Sequence, residues 1–77
     1  MNIKAEAVVK PVVHFRAWAR WDEYADGRGA TLHGVLDHPR LGYEPVVYTS
    51  EVLSTDSETD PTLIETRNTI YKKVPSA

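Results

Sequence analysis

Val12-Val13-His14-Phe15-Arg16-Ala17-Trp18-Ala19-Arg20-Trp21-Asp22-Glu23-Tyr24 is the stretch whose period decides the fold. As a strand it sends Val13, Phe15, Ala17, Ala19 and Trp21 to one face and His14, Arg16, Trp18, Arg20 and Asp22 to the other. Apolar residues at every second position, opposite a mostly polar row, are the mark of a half-buried strand. A helix also gathers Val13, Ala17, Trp21 and Tyr24 into a stripe, but it leaves Phe15 and Trp18 pointing elsewhere. The strand is the better reading.

Downstream, Asp26-Gly27-Arg28-Gly29 has the chemistry of a tight turn, because Asp-Gly supplies positive φ at little cost. The chain is therefore expected to fold back into a second strand, Ala30 to Leu36. There Gly34 marks a bulge or the close approach of another group. Asp37-His38-Pro39-Arg40-Leu41-Gly42 reads as a turn, since Pro39 keeps His38 out of the helical region and Gly42 permits a left-handed exit. A third strand is expected from Pro45 to Leu53. An acidic, hydroxyl-rich loop follows from Ser54 to Pro61, and a long fourth strand from Thr62 to Val74. Upstream, Pro11 marks a strand start, an edge or a helix first turn, and the first seven residues are a weakly patterned lead-in expected to fray.

These elements make an all-β fold, a small four- to five-stranded antiparallel sheet or barrel forming one domain over residues 1–77. A two-sided sheet of this size leaves an apolar face in water unless it curls or pairs with another copy, so a homo-oligomer is expected. With no cysteine among 77 residues there is no disulfide framework and no thiolate zinc site. No apolar run approaches the ~20 residues of a membrane span. Met1 to Lys10 lacks a signal peptide's apolar core, which points to the cytoplasm.

The net charge of −2 is unevenly spread: +1 over residues 1–43, −6 over residues 44–66 and +3 over residues 67–77. This argues against generic DNA binding, which needs a concentrated basic surface, and leaves small phosphorylated ligands open. Arg16-x-Trp18-x-Arg20 sets an indole between two guanidiniums, an arrangement suited to stacking a base and gripping its phosphates. It suits an ordinary core or interface contact as well. Asp37-His38-Pro39-Arg40 is either an anion-binding loop or a turn pinned by a histidine-to-backbone hydrogen bond and an Asp37–Arg40 ion pair. Thr49-Ser50 and Glu65-Thr66-Arg67-Asn68-Thr69 form either a polar pocket lining or a cross-strand hydroxyl ladder.

Metal readings are weaker. Asp56-x-Glu58-x-Asp60 lacks the glycine and terminal glutamate of a calcium loop, and His14, His33 and His38 lack zinc-ligand spacing. No nucleophile elbow or phosphate-cradling glycine loop is present, so neither catalysis nor a cofactor is expected.

Trp21-Asp22-Glu23-Tyr24, the His38-Pro39-Arg40-Leu41-Gly42 turn and Glu65-Thr66-Arg67-Asn68-Thr69-Ile70-Tyr71 together resemble short, mostly uncharacterised accessory proteins of tailed bacteriophages, over residues 12–74. That resemblance implies a setting in the cytoplasm of an infected bacterium and a role as an antagonist of host defence. Some such antagonists act as sponges for a nucleotide signal. The leading expectation is then a homo-oligomer that sequesters a nucleotide-like ligand of the cyclic oligonucleotide class. Its binding residues would be Arg16, Trp18, Arg20, His38, Arg40, Thr49, Ser50, Arg67 and Asn68. The alternatives are an inhibitor whose acidic stretch, residues 44–66, engages a basic host protein, and a small phosphodiesterase using His38 or His33.

Overall fold

A computed structural model describes residues 9–75; the lead-in reading falls on residues outside that range. The described residues form six strands: β1 (Val12–Tyr24), β2 (Gly27–His38), β3 (Gly42–Tyr48), β4 (Val52–Thr55), β5 (Leu63–Thr66) and β6 (Ile70–Lys73). They make one open mixed sheet in the order β3-β2-β1-β6-β5-β4. The all-β expectation and the bounds of the first strand hold, whereas a purely antiparallel sheet of four or five strands does not. No helix among the described residues is long and apolar enough to cross a membrane.

Two of the expected strands are each broken in two. The third is interrupted at Thr49. This residue's N–H donates to Ala30 O at 2.9 Å, but Ala30 N–H returns its bond to Thr49 Oγ1 at 3.0 Å instead of to the carbonyl. The released carbonyl accepts from Tyr24 Oη at 2.8 Å, and Thr49 Oγ1 donates to Ser50 O at 2.8 Å. The hydroxyl thus ends the β2–β3 ladder, and three residues later the chain pairs with β5 as β4. The fourth expected strand is broken by a turn over residues 67–69, closed by Thr66 N–H and Thr66 Oγ1, which both donate to Thr69 O. Direction is kept from β3 into β4, so β6 arrives parallel to β1, with Val12 beside Ile70 and Phe15 beside Lys73.

Phe15, Leu32, Val13, Val35, Ile64, Ala30 and Tyr71 form the core, with Trp18, Trp21, Val47 and Val52 packed against it. The β4–β5–β6 half folds over the inner face of the long β1–β2 hairpin, bringing β4 against β2. Burial pushes the Tyr71 phenol above its ordinary pKa.

The expected face of Val13, Phe15, Ala17, Ala19 and Trp21 is corrected. Ala17 and Ala19 are exposed, and Trp18 packs on the core. Alternation fails twice. Inward residues step from Phe15 to Trp18 in β1 and from Val35 to Leu32 in β2, at the level where Gly34 adopts φ +65°. Then Ala19 is an extra residue: Trp18 opposes Leu32 but Arg20 opposes Thr31, a bulge that turns Trp21 inward opposite Ala30.

Candidate functional site

The two phase breaks in β1 decide which side chains share a surface. Arg16 and Arg20 remain on the solvent side while Trp18 turns to the core, so the expected indole between two guanidiniums is not formed. The register places Arg20, Thr31 and Tyr48 in one cross-strand row and Ala17, His33 and Val46 in the next. The aromatic ring on the arginine face is therefore Tyr48, 66% exposed. His33 lies exposed between the two arginine levels.

Arg16 lies across Gly34 and has no hydrogen-bond or ion-pair partner among the described residues. A Cβ on Gly34 would come within 2.9 Å of Arg16 Cδ and 3.0 Å of its Cβ and Cγ. Arg20 is braced through Nε, which donates to Asp22 Oδ1 at 2.9 Å, while its two terminal nitrogens have no partner among the described residues. Thr31 Oγ1 donates to the other Asp22 oxygen at 2.6 Å. The Thr31 hydroxyl and then the Arg20 guanidinium hold the Asp22 carboxyl below the usual range. Asp22 stays ionised and fixes the Arg20 stem, leaving the bidentate fork facing solvent.

The other expected site residues do not join this face. His38 Nδ1 accepts from the N–H groups of Arg40 at 3.1 Å and Leu41 at 3.2 Å, which pins the turn and puts the ring proton on Nε2 when the imidazole is neutral. Asp37 does not pair with Arg40. Its carboxylate takes His14 N–H and the His14 ring, each at 2.7 Å, and the backbone donor first holds it below the ordinary aspartate range. Arg40 is exposed at the tip of that turn. Arg67 and Asn68 are exposed in the β5–β6 turn, so residues 65–69 do not run on as one strand. Both turns adjoin the N-terminal end of β1, through Asp37–His14 and through Ile70 N–H to Pro11 O. Thr49 is buried and spent on the ladder end already described, and Ser50 is exposed beside it.

A cavity of about 220 Å³ is lined by Ser54, Thr55, Asp56, Leu63, Glu65 and Ile70. It contains none of the expected site residues, lies under the ~300 Å³ at which ligand pockets usually begin, and its two carboxylates repel a phosphate. Asp56 is consumed by Thr62 and Leu63, its oxygens taking two backbone N–H groups and the Thr62 hydroxyl. Glu65 pairs with Lys10 and accepts from Ser54 Oγ. Glu58 receives both Arg28 terminal nitrogens at 2.6 Å, and Asp60 lies 3.8 Å from Lys73 Nζ. Four of the six acidic residues between 44 and 66 are thus engaged by the chain's own groups.

The outer face of β1–β2–β3 brings Arg16, the Arg20 fork, His33 and Tyr48 together. The sequence pointed to its arginines but not to Tyr48, whose place depends on a register between distant strands. Comparison with known families, curated proteins and solved structures finds no match for this chain.

Proposed function

We propose that this chain is a non-catalytic binding protein that captures a nucleotide-like anion on the outer face of β1–β2–β3. The observation that carries the reading is the sharing of one solvent-facing surface by Arg16, the Arg20 fork, His33 and Tyr48. Guanidiniums grip phosphate oxygens bidentately, and a phenol ring offers a base a stacking face. An open sheet face leaves a bound ligand half in water. A second copy supplying the other wall fits the homo-oligomer expected for so small a chain. The phage resemblance gives the reading its setting, stoichiometric sequestration of a signalling nucleotide in an infected bacterium. The acidic-inhibitor reading loses support because most of its carboxylates already have partners.

Calorimetry against cyclic di- and trinucleotides and their linear counterparts tests the proposal. Binding heat is expected with tens of micromolar protein, together with unchanged ligand recovered by mass. Arg16→Ala, Arg20→Ala and Tyr48→Ala should each weaken binding about tenfold, equivalent to ~1.4 kcal/mol, while Arg67→Ala should not. Silence across the panel removes the proposal, and recovery of cleaved ligand replaces it with the phosphodiesterase reading. A scattering mass equal to the monomer's 8.7 kDa under binding conditions removes the shared-wall element alone.

A further inference from the structure

On the opposite, inner side of the same hairpin, the loop after β4 meets the Trp21 indole, with Trp18 beside it. The Trp18 and Trp21 rings lie 5.3 Å apart between centroids and tilted by 53°. Arg28 Cζ sits 4.2 Å over the Trp21 ring, and both terminal nitrogens of this guanidinium donate to the Glu58 carboxylate. Trp21 Nε1 donates to Glu58 O at 2.8 Å. Trp18 Nε1 is buried with no acceptor among the described residues. One residue, Glu58, therefore supplies both an oxyanion to Arg28 and a carbonyl to Trp21, while a neighbouring donor goes unused.

We infer that Arg28, seated on Trp21, forms a binding site for a planar aromatic anion, a ring carrying a phosphate or carboxylate, and that Glu58 occupies it as an internal stand-in. Arg28 is already seated on an indole and aimed at two oxygens, so an incoming oxyanion needs only to replace the Glu58 carboxylate. The Glu58 side chain is 62% exposed, so its displacement returns a carboxylate to water without opening the core. A ring borne by that oxyanion stacks on the outer side of the partly exposed Arg28 guanidinium, whose inner side already lies on Trp21. Trp21 Nε1 keeps its bond to Glu58 O, because only the Glu58 side chain swings away. The strap is anchored on either side of Glu58, so a local swing of this residue leaves the loop in place. The Asp56 carboxylate holds Thr62 and Leu63 N–H, and Ser57 Oγ takes the N–H groups of Thr59 and Asp60.

The test is a tryptophan-fluorescence titration with adenosine monophosphate, with adenosine and inorganic phosphate as controls lacking the charge or the ring. Adenosine monophosphate should change the emission saturably, and the two controls should not do so at the same concentrations. Glu58→Gln removes the competing charge and should tighten binding about fivefold. Arg28→Lys keeps the charge but loses the fork and should weaken binding at least about tenfold. The Arg16→Ala/Arg20→Ala double variant should leave this response intact, which separates it from the outer-face reading. Unchanged or weaker binding by both Glu58→Gln and Glu58→Ala overturns the stand-in role. A response that vanishes with Arg16 and Arg20 but survives Arg28→Lys overturns the site itself.

Discussion

Alanine at Gly34 and alanine at Gly42 share a backbone penalty but differ in surroundings, so the pair isolates the contact that seats Arg16. Gly34 has φ +65° and Gly42 φ +72°. An L-residue in this region costs about 1–2 kcal/mol, partly offset by about 0.4–1 kcal/mol from the stiffer unfolded chain. At Gly42 a Cβ meets nothing within 4 Å among the described residues, so Gly42→Ala should cost only this difference. At Gly34 the new carbon would lie 2.9–3.0 Å from three carbons of Arg16, one of them the Cβ, which cannot swing away. Relieving such overpacking typically costs a further ~1–3 kcal/mol. Gly34→Ala should then lose roughly 2–4 kcal/mol in all, against about 4–12 kcal/mol of total stability for a chain of this size. Urea unfolding followed by tryptophan fluorescence reads both variants as midpoint shifts at constant slope. Ligand binding on the outer face should weaken with Gly34→Ala and stay unchanged with Gly42→Ala. Equal midpoints for the two variants refute the Arg16 contact, and a Gly34→Ala variant as stable as the parent refutes the left-handed assignment as well.

Other outcomes follow from the same geometry. Phe15→Ala empties a fully buried position in the core and should cost about 3–5 kcal/mol in urea unfolding; a loss under ~1 kcal/mol would place Phe15 outside the core. Thr49→Val removes the acceptor of a buried Ala30 N–H and should cost about 1–3 kcal/mol, whereas Thr49→Ser should stay near the parent and both should bind ligand normally. On acidification, Asp37 and Asp56 are among the carboxyls that lose their partners, held low chiefly by His14 N–H and by the Thr62 hydroxyl. Their contribution is complete above the unfolded aspartate value of about 4 and is lost as pH falls through the lower folded values, so the melting temperature should drop below about pH 4. A melting temperature that holds steady well below that pH would contradict these partnerships. Tyr71 acts at the other limit: its raised folded pKa stabilises the protein below the unfolded value of about 10 and is lost above it. Tyr71→Phe should blunt an alkaline melting transition.

Much of the fold was legible because it is local. The bounds of β1 and the glycine exit at Gly42 rest on neighbouring residues, whereas the turn read over residues 26–29 lies earlier and is tighter, because β2 already pairs with β1 from Gly27 and runs on to His38. The two strands read as continuous were misread because their breaks are made by side chains. Thr49 Oγ1 stands in for its own carbonyl only when Ala30 and Tyr24 are beside it, and Thr66 closes on Thr69 only within the β5–β6 turn. The candidate site was legible in part. Arg16 and Arg20 stay on one solvent face, but Trp18 does not join them, and Tyr48 arrives from 28 residues beyond Arg20 in the chain.

By itself the sequence determined an all-β chain opening on one long strand, since alternation and turn chemistry act over a few residues. Which face of that strand is the inside was decided only in the tertiary structure. In β1 the inward position passes from Phe15 to Trp18 across from the left-handed Gly34 of β2, and one extra residue at Ala19 passes it on to Trp21. Whether a strand absorbs such a shift depends on what its partner buries opposite. Here Leu32 and Ala30, fully buried across from Trp18 and Trp21, take both indoles against the core and leave Arg16 and Arg20 outside.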